Sequence, residues 1–166
     1  MKKEQTVRNM TTAAMIAALY TALTLLFAPI AFGPIQCRIS EALVILPYFT
    51  PAAIPGVTIG CFLGNLLGGG VPMDVIFGTM ASLLGALGSY ALRRYRYLVC
   101  VPPIVSNTLI VPWVLKAAYG APELLPYLMF TVGIGEIVAV GILGTVLLLV
   151  LEKYPVIFRA QRQVYK

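Results

Sequence analysis

From Ala42 to Met73 the chain runs 32 residues without a single charged side chain. Few features constrain a fold more. A helix that crosses the ~30 Å hydrocarbon core of a bilayer uses about 20 apolar residues, so this stretch is long for one crossing and tight for two. Pro47, Pro51 and Pro55 punctuate it, and proline is a good place to break a helix. Two short spans at about residues 40–53 and 55–70 are expected. A re-entrant pair over residues 42–73 is the alternative. The stretch is introduced by Arg38 and Glu41, three positions apart, close enough to meet across one helical turn.

Composition extends the argument to the whole chain. Of its 166 residues 60% are hydrophobic and 11% charged, against about 25% charged in soluble domains. An all-α integral membrane bundle follows, a single membrane-embedded domain over residues 1–166 with the bilayer as its solvent. Four further runs are apolar enough to cross: residues 10–31, 75–92, 97–115 and 126–151. The first, with Lys2, Lys3 and Arg8 before it, imitates a secretory signal. It is too long for an apolar signal core of about 7–15 residues, and is read as a span.

Charge sets the orientation. Lys2, Lys3 and Arg8 precede the first span. Arg93, Arg94 and Arg96 form the middle turn, and Lys153, Arg159, Arg162 and Lys166 the C-terminal tail. The positive-inside rule places all three groups in the cytoplasm. The chain must then cross an even number of times between Arg8 and Arg93, which makes six transmembrane helices with both termini cytoplasmic. Arg38 and Lys116 fall outside. The net charge of +6 is explained by this orientation, and nucleic-acid binding is not needed to account for it.

The chain has no histidine, and its three cysteines, Cys37, Cys61 and Cys100, match no metal or redox spacing. No catalytic residues, metal ligands or cofactor are expected; the cysteines read as small apolar packers. Two stripes of small residues stand out. Gly56, Gly60, Gly64 and Gly68 recur at four-residue spacing, and Ala14, Ala18 and Ala22 do so in the first span, flanked by Ala13 and Ala17. Small faces let membrane helices approach closely. The glycine stripe reads as internal packing, the alanine stripe as internal packing or as a surface for another protein.

Three polar residues lie deep in apolar spans. Glu136, Asn107 and Asn65 each sit ten residues in from their span ends, which at ~1.5 Å per residue is ~15 Å, near the midplane. An acidic residue there costs roughly 2.5–3.5 kcal/mol, so Glu136 is expected to face the interior. It is read either as one member of a structural network with Asn107 and Ser106 or as a buried acceptor for a polar ligand. Arg38 and Glu41 read as a solvated helix end or as the rim of a ligand site. Trp113, Tyr127, Phe130 and Tyr119 lie at the same side, as an interfacial aromatic belt or as stacking partners for a flat ring. Together they suggest a polar, aromatic-lined cup for a small ringed molecule.

At this point the residues carry a resemblance. The stretch MTTAAMIAALYTALT resembles the first helix of the substrate-binding S components of energy-coupling factor (ECF) vitamin transporters. The stretch RISEALVILPYFTPAAIPGVTIGCFLGNLLGG is similar to the QueT family, S components assigned to queuosine precursors. The resemblance implies six helices, a substrate site under the connection between helices one and two (here residues 32–40), and docking of helix one, at Ala14 and Ala18 with Ala13, Ala17 and Ala22 beside them, onto a transmembrane coupling subunit. It also implies two cytoplasmic ATPase subunits. The chain has no phosphate-binding G-x-x-x-x-G-K-[ST] loop of its own and is not expected to be an enzyme. A queuosine precursor is a deazaguanine, whose ring N–H and exocyclic amine present two parallel donors suited to a carboxylate. Glu136 is expected to take that edge, Asn107 and Asn65 the remaining ring atoms, Trp113 or a tyrosine such as Tyr127 the ring face, and Glu41, oriented by Arg38, a side-chain amine. The setting would be a prokaryotic plasma membrane. An S component for another vitamin, or a structural membrane partner without a ligand, are the alternatives.

Overall fold

A computed structural model of the chain describes residues 2–31 and 37–154. Residues 32–36 of the expected substrate-site connection, and Arg159, Arg162 and Lys166 of the basic tail, lie outside the described residues. The described residues form seven α-helices: α1 (Lys2–Leu26), α2 (Ala28–Ala31), α3 (Ala53–Leu67), α4 (Pro72–Ala91), α5 (Val101–Ala118), α6 (Leu125–Glu136) and α7 (Thr145–Lys153). A 3₁₀ helix, Ile39–Tyr48, stands between α2 and α3, a 3₁₀ turn, Leu98–Cys100, leads into α5, and a π-helical stretch, Ile137–Gly144, joins α6 to α7. Four continuous helical segments are long and apolar enough to cross a membrane: Lys3–Leu26, Pro72–Ala91, Leu98–Ala118 and Leu125–Lys153. Ile39–Tyr48 and Ala53–Leu67 are shorter apolar helices.

The expected uniform set of α-helical spans needs correcting at two places. The expected span at residues 40–53 is a ten-residue 3₁₀ helix. Its rise of ~2.0 Å per residue stretches ten residues over ~20 Å, where an α-helix would cover ~15 Å. Tight winding thus lets the 32-residue uncharged stretch hold two elements with a turn at residues 49–52. The last run is interrupted by eight π-helical residues directly after Glu136.

Small residues set how the helices approach. A Cβ on Gly56 would lie 2.9 Å from the Ala13 carbonyl oxygen, and one on Gly60 2.6 Å from Tyr20 Cβ and 2.9 Å from the Ala17 carbonyl oxygen. One on Gly64 would lie 3.1 Å from Thr24. The order 56, 60, 64 against 13, 17, 24 makes α1 and α3 parallel. The chain therefore returns between them, and the 3₁₀ helix provides that return: Ser40 meets Thr24 at its start and Tyr48 meets Glu152 of α7 at its end. Helices α3 and α4 are antiparallel, joined through Gly69 in a left-handed turn (φ 83°) that favours glycine. Pro72 and Pro126 open α4 and α6, where a missing N–H costs nothing.

The alanine stripe divides. Ala17 is buried and Ala13 half-buried against the glycines of α3, whereas Ala14, Ala18 and Ala22 are exposed.

The 3₁₀ helix is the pillar of the bundle. Residues 40–47 are all buried, enclosed by α1, α3, α4 and the π-helical stretch. The pillar's core neighbours include Tyr20, Val57, Cys61, Ala86, Val99, Val140 and Leu148. At one end of the pillar Glu152 binds Arg96 at 2.6 Å and accepts a hydrogen bond from the Tyr48 hydroxyl at 3.0 Å. The Arg96 side chain is 40% exposed, and partly solvated pairs contribute little. Glu152→Gln is expected to lower stability by less than about 1 kcal/mol, read as a small change in thermal midpoint.

Candidate functional site

Most of the buried polar residues gather away from the Arg96 end; Thr50 and Ser89 are the exceptions among the described residues. Eclipsed i,i+3 geometry in a 3₁₀ helix puts Arg38, at its N-cap, and Glu41 on one face. Arg38 Nη1 lies 3.9 Å from Glu41 Oε1. The pair is no solvated helix end: Arg38 is 8% and Glu41 1% exposed. Glu41 Oε1 accepts hydrogen bonds from the Tyr20 hydroxyl and from Ser82 Oγ at 2.9 Å. Cys61 lies 3.3 Å from Ser82 Oγ, 3.7 Å from Arg38 Nη1 and 3.6 Å from Asn65 Nδ2. This cysteine packs in the apolar core, as expected of it, and its sulfur also touches the polar network. Thr24 and Ser40 share a hydrogen bond of 2.7 Å beside it.

Glu136 and Asn107 reach the same place from α6 and α5. Asn107 and Val111, four residues apart, share one face of α5, and Val132 and Glu136 one face of α6. These four side chains, with Arg38 and Glu41, line a single internal pocket. Among the described residues Glu41 Oε2, Asn107 Nδ2 and Glu136 Oε2 are buried without a hydrogen-bond partner. Two acceptors and one donor are thus left unsatisfied around one space, where each unmade hydrogen bond costs about 1–3 kcal/mol. Ser106 belongs to other partners, donating to the Ala81 carbonyl at 2.9 Å and lying 3.1 Å from that of Pro103.

The pocket is small. Its volume is about 10 Å³, room for one water and far below the roughly 300 Å³ at which drug-sized ligand sites begin. The cup is closed in this structure, with Val111 and Val132 among its walls.

Asn65 lies deep, as its position suggests, but in a neighbouring cluster. It is fully buried, its Nδ2 donates to the Asp74 carbonyl at 3.3 Å, and its Oδ1 has no partner among the described residues. Asp74, 3% exposed, takes a hydrogen bond from the Tyr119 hydroxyl at 3.2 Å. Burial, and then the Asp74 carboxylate, raise the Tyr119 phenol above its ordinary pKa. It therefore remains a protonated donor. Trp113 and Tyr127 do not line the pocket; they are 60% and 57% exposed. Trp113 is two residues past Val111, ~200° round α5, and Tyr127 is nine before Glu136, ~180° round α6. Trp113 instead borders an outward-facing apolar groove with Phe77, Leu109 and Ile110.

Sequence reasoning missed Tyr20, Ser82 and Asp74. Tyr20 and Ser82 are unremarkable in apolar runs, and only packing against Glu41 gives them a role. Asp74 had a signal, being the acid that ends the uncharged stretch two residues after Pro72.

The exposed alanines border a second feature. Ala14 and Ala18, with Met10, Pro51, Pro55 and Ile59, line an apolar groove of about 710 Å³ between α1 and the start of α3.

Comparison with known proteins places the chain. The sequence pattern of a family described as QueT transporter matches residues 10–153. A protein of Lactococcus lactis subsp. cremoris (strain MG1363), named "Queuosine precursor transporter QueT", is 41% identical over 99 residues, 58% of this chain and 57% of the relative. The match thus spans little more than half the relative's length. No solved structure matches the chain.

Proposed function

The chain belongs to the QueT transporter family, and from that premise we propose that it is the substrate-binding S component of an ECF-type transporter for a queuosine precursor. One observation carries the reading: Glu136 Oε2, Asn107 Nδ2 and Glu41 Oε2 are buried and unpartnered around one pocket. A deazaguanine supplies the complement. Its ring N–H and exocyclic amine donate to Glu136, and its carbonyl accepts from Asn107. Such charged hydrogen bonds in a dry site are the strong ones. A ring of this size needs the pocket to widen, with α5 and α6 parting at Val111 and Val132.

The transport half of the proposal rests on topology and surface. The chain crosses the membrane six times, the 3₁₀ helix and α3 forming the second and third crossings, and both termini are cytoplasmic. The parallel run of α1 and α3 supports an extra crossing between them. Arg93, Arg94 and Arg96 between α4 and α5 support the orientation. Substrate then arrives from outside a prokaryotic cell. The groove beside Ala14 and Ala18, with Ala22 further along the exposed side of α1, receives the transmembrane coupling subunit. Two cytoplasmic ATPase subunits supply the energy.

A thermal-shift series on the detergent-purified chain tests the binding half, using queuine, aminomethyl-deazaguanine, queuosine, guanine, riboflavin and biotin. A ligand at a hundred times its Kd adds about 2.7 kcal/mol, about 5–10 °C for a chain of this size. The shift is expected with deazaguanines alone. A shift with riboflavin or biotin instead assigns the chain to another vitamin, and none with any ligand overturns the binding role.

A further inference from the structure

The pocket holds more carboxylate than a neutral ring can use. Two carboxylates, Glu41 and Glu136, and one guanidinium, Arg38, line it. Arg38 stands toward Glu41 Oε1, 3.9 Å away. That oxygen also accepts from Tyr20 and Ser82, so the Glu41 side chain is held on three sides. Its second oxygen, Oε2, is buried and has no partner among the described residues. Glu136 Oε2, from the other side of the bundle, is in the same condition.

A ring edge presents its paired donors to one carboxylate. A neutral ligand therefore leaves the second carboxylate facing the pocket with no new partner. In a low-dielectric site an unmatched charge is expensive, and a matching one is bound strongly. Metal ions are poor candidates for that charge, because the described residues contain no group of three His, Cys, Asp or Glu side chains able to hold one. An alkylammonium on the ligand satisfies the geometry with a single donor group, and an amine of this class is protonated at neutral pH.

Resting on the deazaguanine reading above, we propose that Glu41 is a specificity-determining residue that selects precursors carrying a cationic amine, its Oε2 binding the ammonium while Glu136 holds the ring edge. Tyr20 and Ser82 are positioning residues for this function. They fix Oε1 so that Oε2 is the oxygen turned to the ligand. A ring with a neutral substituent at the same position fills the same space but leaves Oε2 without a partner.

The test compares 7-aminomethyl-7-deazaguanine with 7-methyl-7-deazaguanine, its neutral counterpart, by isothermal titration of the full chain in detergent at pH 7. The aminomethyl compound is expected to bind at least about tenfold more tightly, the scale of one charged hydrogen bond. In Glu41→Gln the preference is expected to collapse to less than about threefold, while in Glu136→Gln both compounds weaken and the preference persists. Equal affinity of the two compounds for the parent chain overturns the inference, and this measurement needs no variant to fold. It leaves the deazaguanine reading standing, whereas failure of both compounds to bind overturns that reading as well. A preference undiminished in a folded Glu41→Gln also overturns it.

Discussion

Glu136→Gln is expected to bind a deazaguanine ten to a thousand times more weakly than the parent chain, about 1.5–4 kcal/mol. The carboxylate is 6% exposed, and its Oε2 has no hydrogen-bond partner among the described residues. Glutamine keeps the shape of the side chain but replaces one acceptor oxygen with an NH₂ donor. Against two parallel ring donors, one acceptor is lost and one donor meets a donor. Stability of the unliganded protein should move the other way or stay level. A buried carboxylate is a burden to the fold, and an amide relieves it. The two readouts separate function from folding: titration gives the loss of affinity, and the thermal midpoint of the free protein shows no fall. A Gln variant that binds as tightly as the parent removes Glu136 from the site. A variant that loses binding and melts much earlier marks Glu136 as a structural residue.

Gly60→Ala is expected to weaken the bundle by about 1–3 kcal/mol, several degrees in thermal midpoint. The added methyl would lie 2.6 Å from Tyr20 Cβ and 2.9 Å from the Ala17 carbonyl oxygen. Neither obstacle is the far end of a flexible side chain, so α1 and α3 must move apart. Tyr20 is also the donor to Glu41, so the displacement reaches the pocket and ligand affinity falls too. Gly60→Val enlarges both effects. Gly133 provides the contrast. A Cβ there meets Thr108 at 3.5 Å, an ordinary distance, and Gly133→Ala is expected to stay within about 0.5 kcal/mol. Equal midpoints for the Gly60→Ala and Gly133→Ala variants would show that the glycine stripe does not set the helix spacing.

Depth along a helix was legible in the sequence; direction around it was not. Counting from span ends put Asn107 and Glu136 at one level, and they do line one pocket. The same count placed Asn65 at that level, yet α3 turns its Cys61–Asn65 face toward α4, where Asp74 and Ser82 wait. Trp113 and Tyr127 were placed by side of the membrane, which fixes no face, and the structure turns both outward. The Arg38–Glu41 pair was legible as a pair. Its burial was not, because nothing local marks residues 39–48 for the centre of the bundle rather than its surface.

By itself the sequence determined where the chain lives and which segments are apolar enough to enter a bilayer. Those properties add up residue by residue: the free energy of leaving water depends on apolar length and on the placement of charges, and needs no knowledge of neighbours. Only the tertiary structure decided which face of each helix turns inward, that residues 39–48 wind as a 3₁₀ pillar, and that Glu41, Asn107 and Glu136 meet around one closed pocket. Those outcomes depend on contacts between segments far apart in the chain. Within lipid, apolar faces are nearly interchangeable, so close packing at glycines and the need of buried polar groups for partners choose among them.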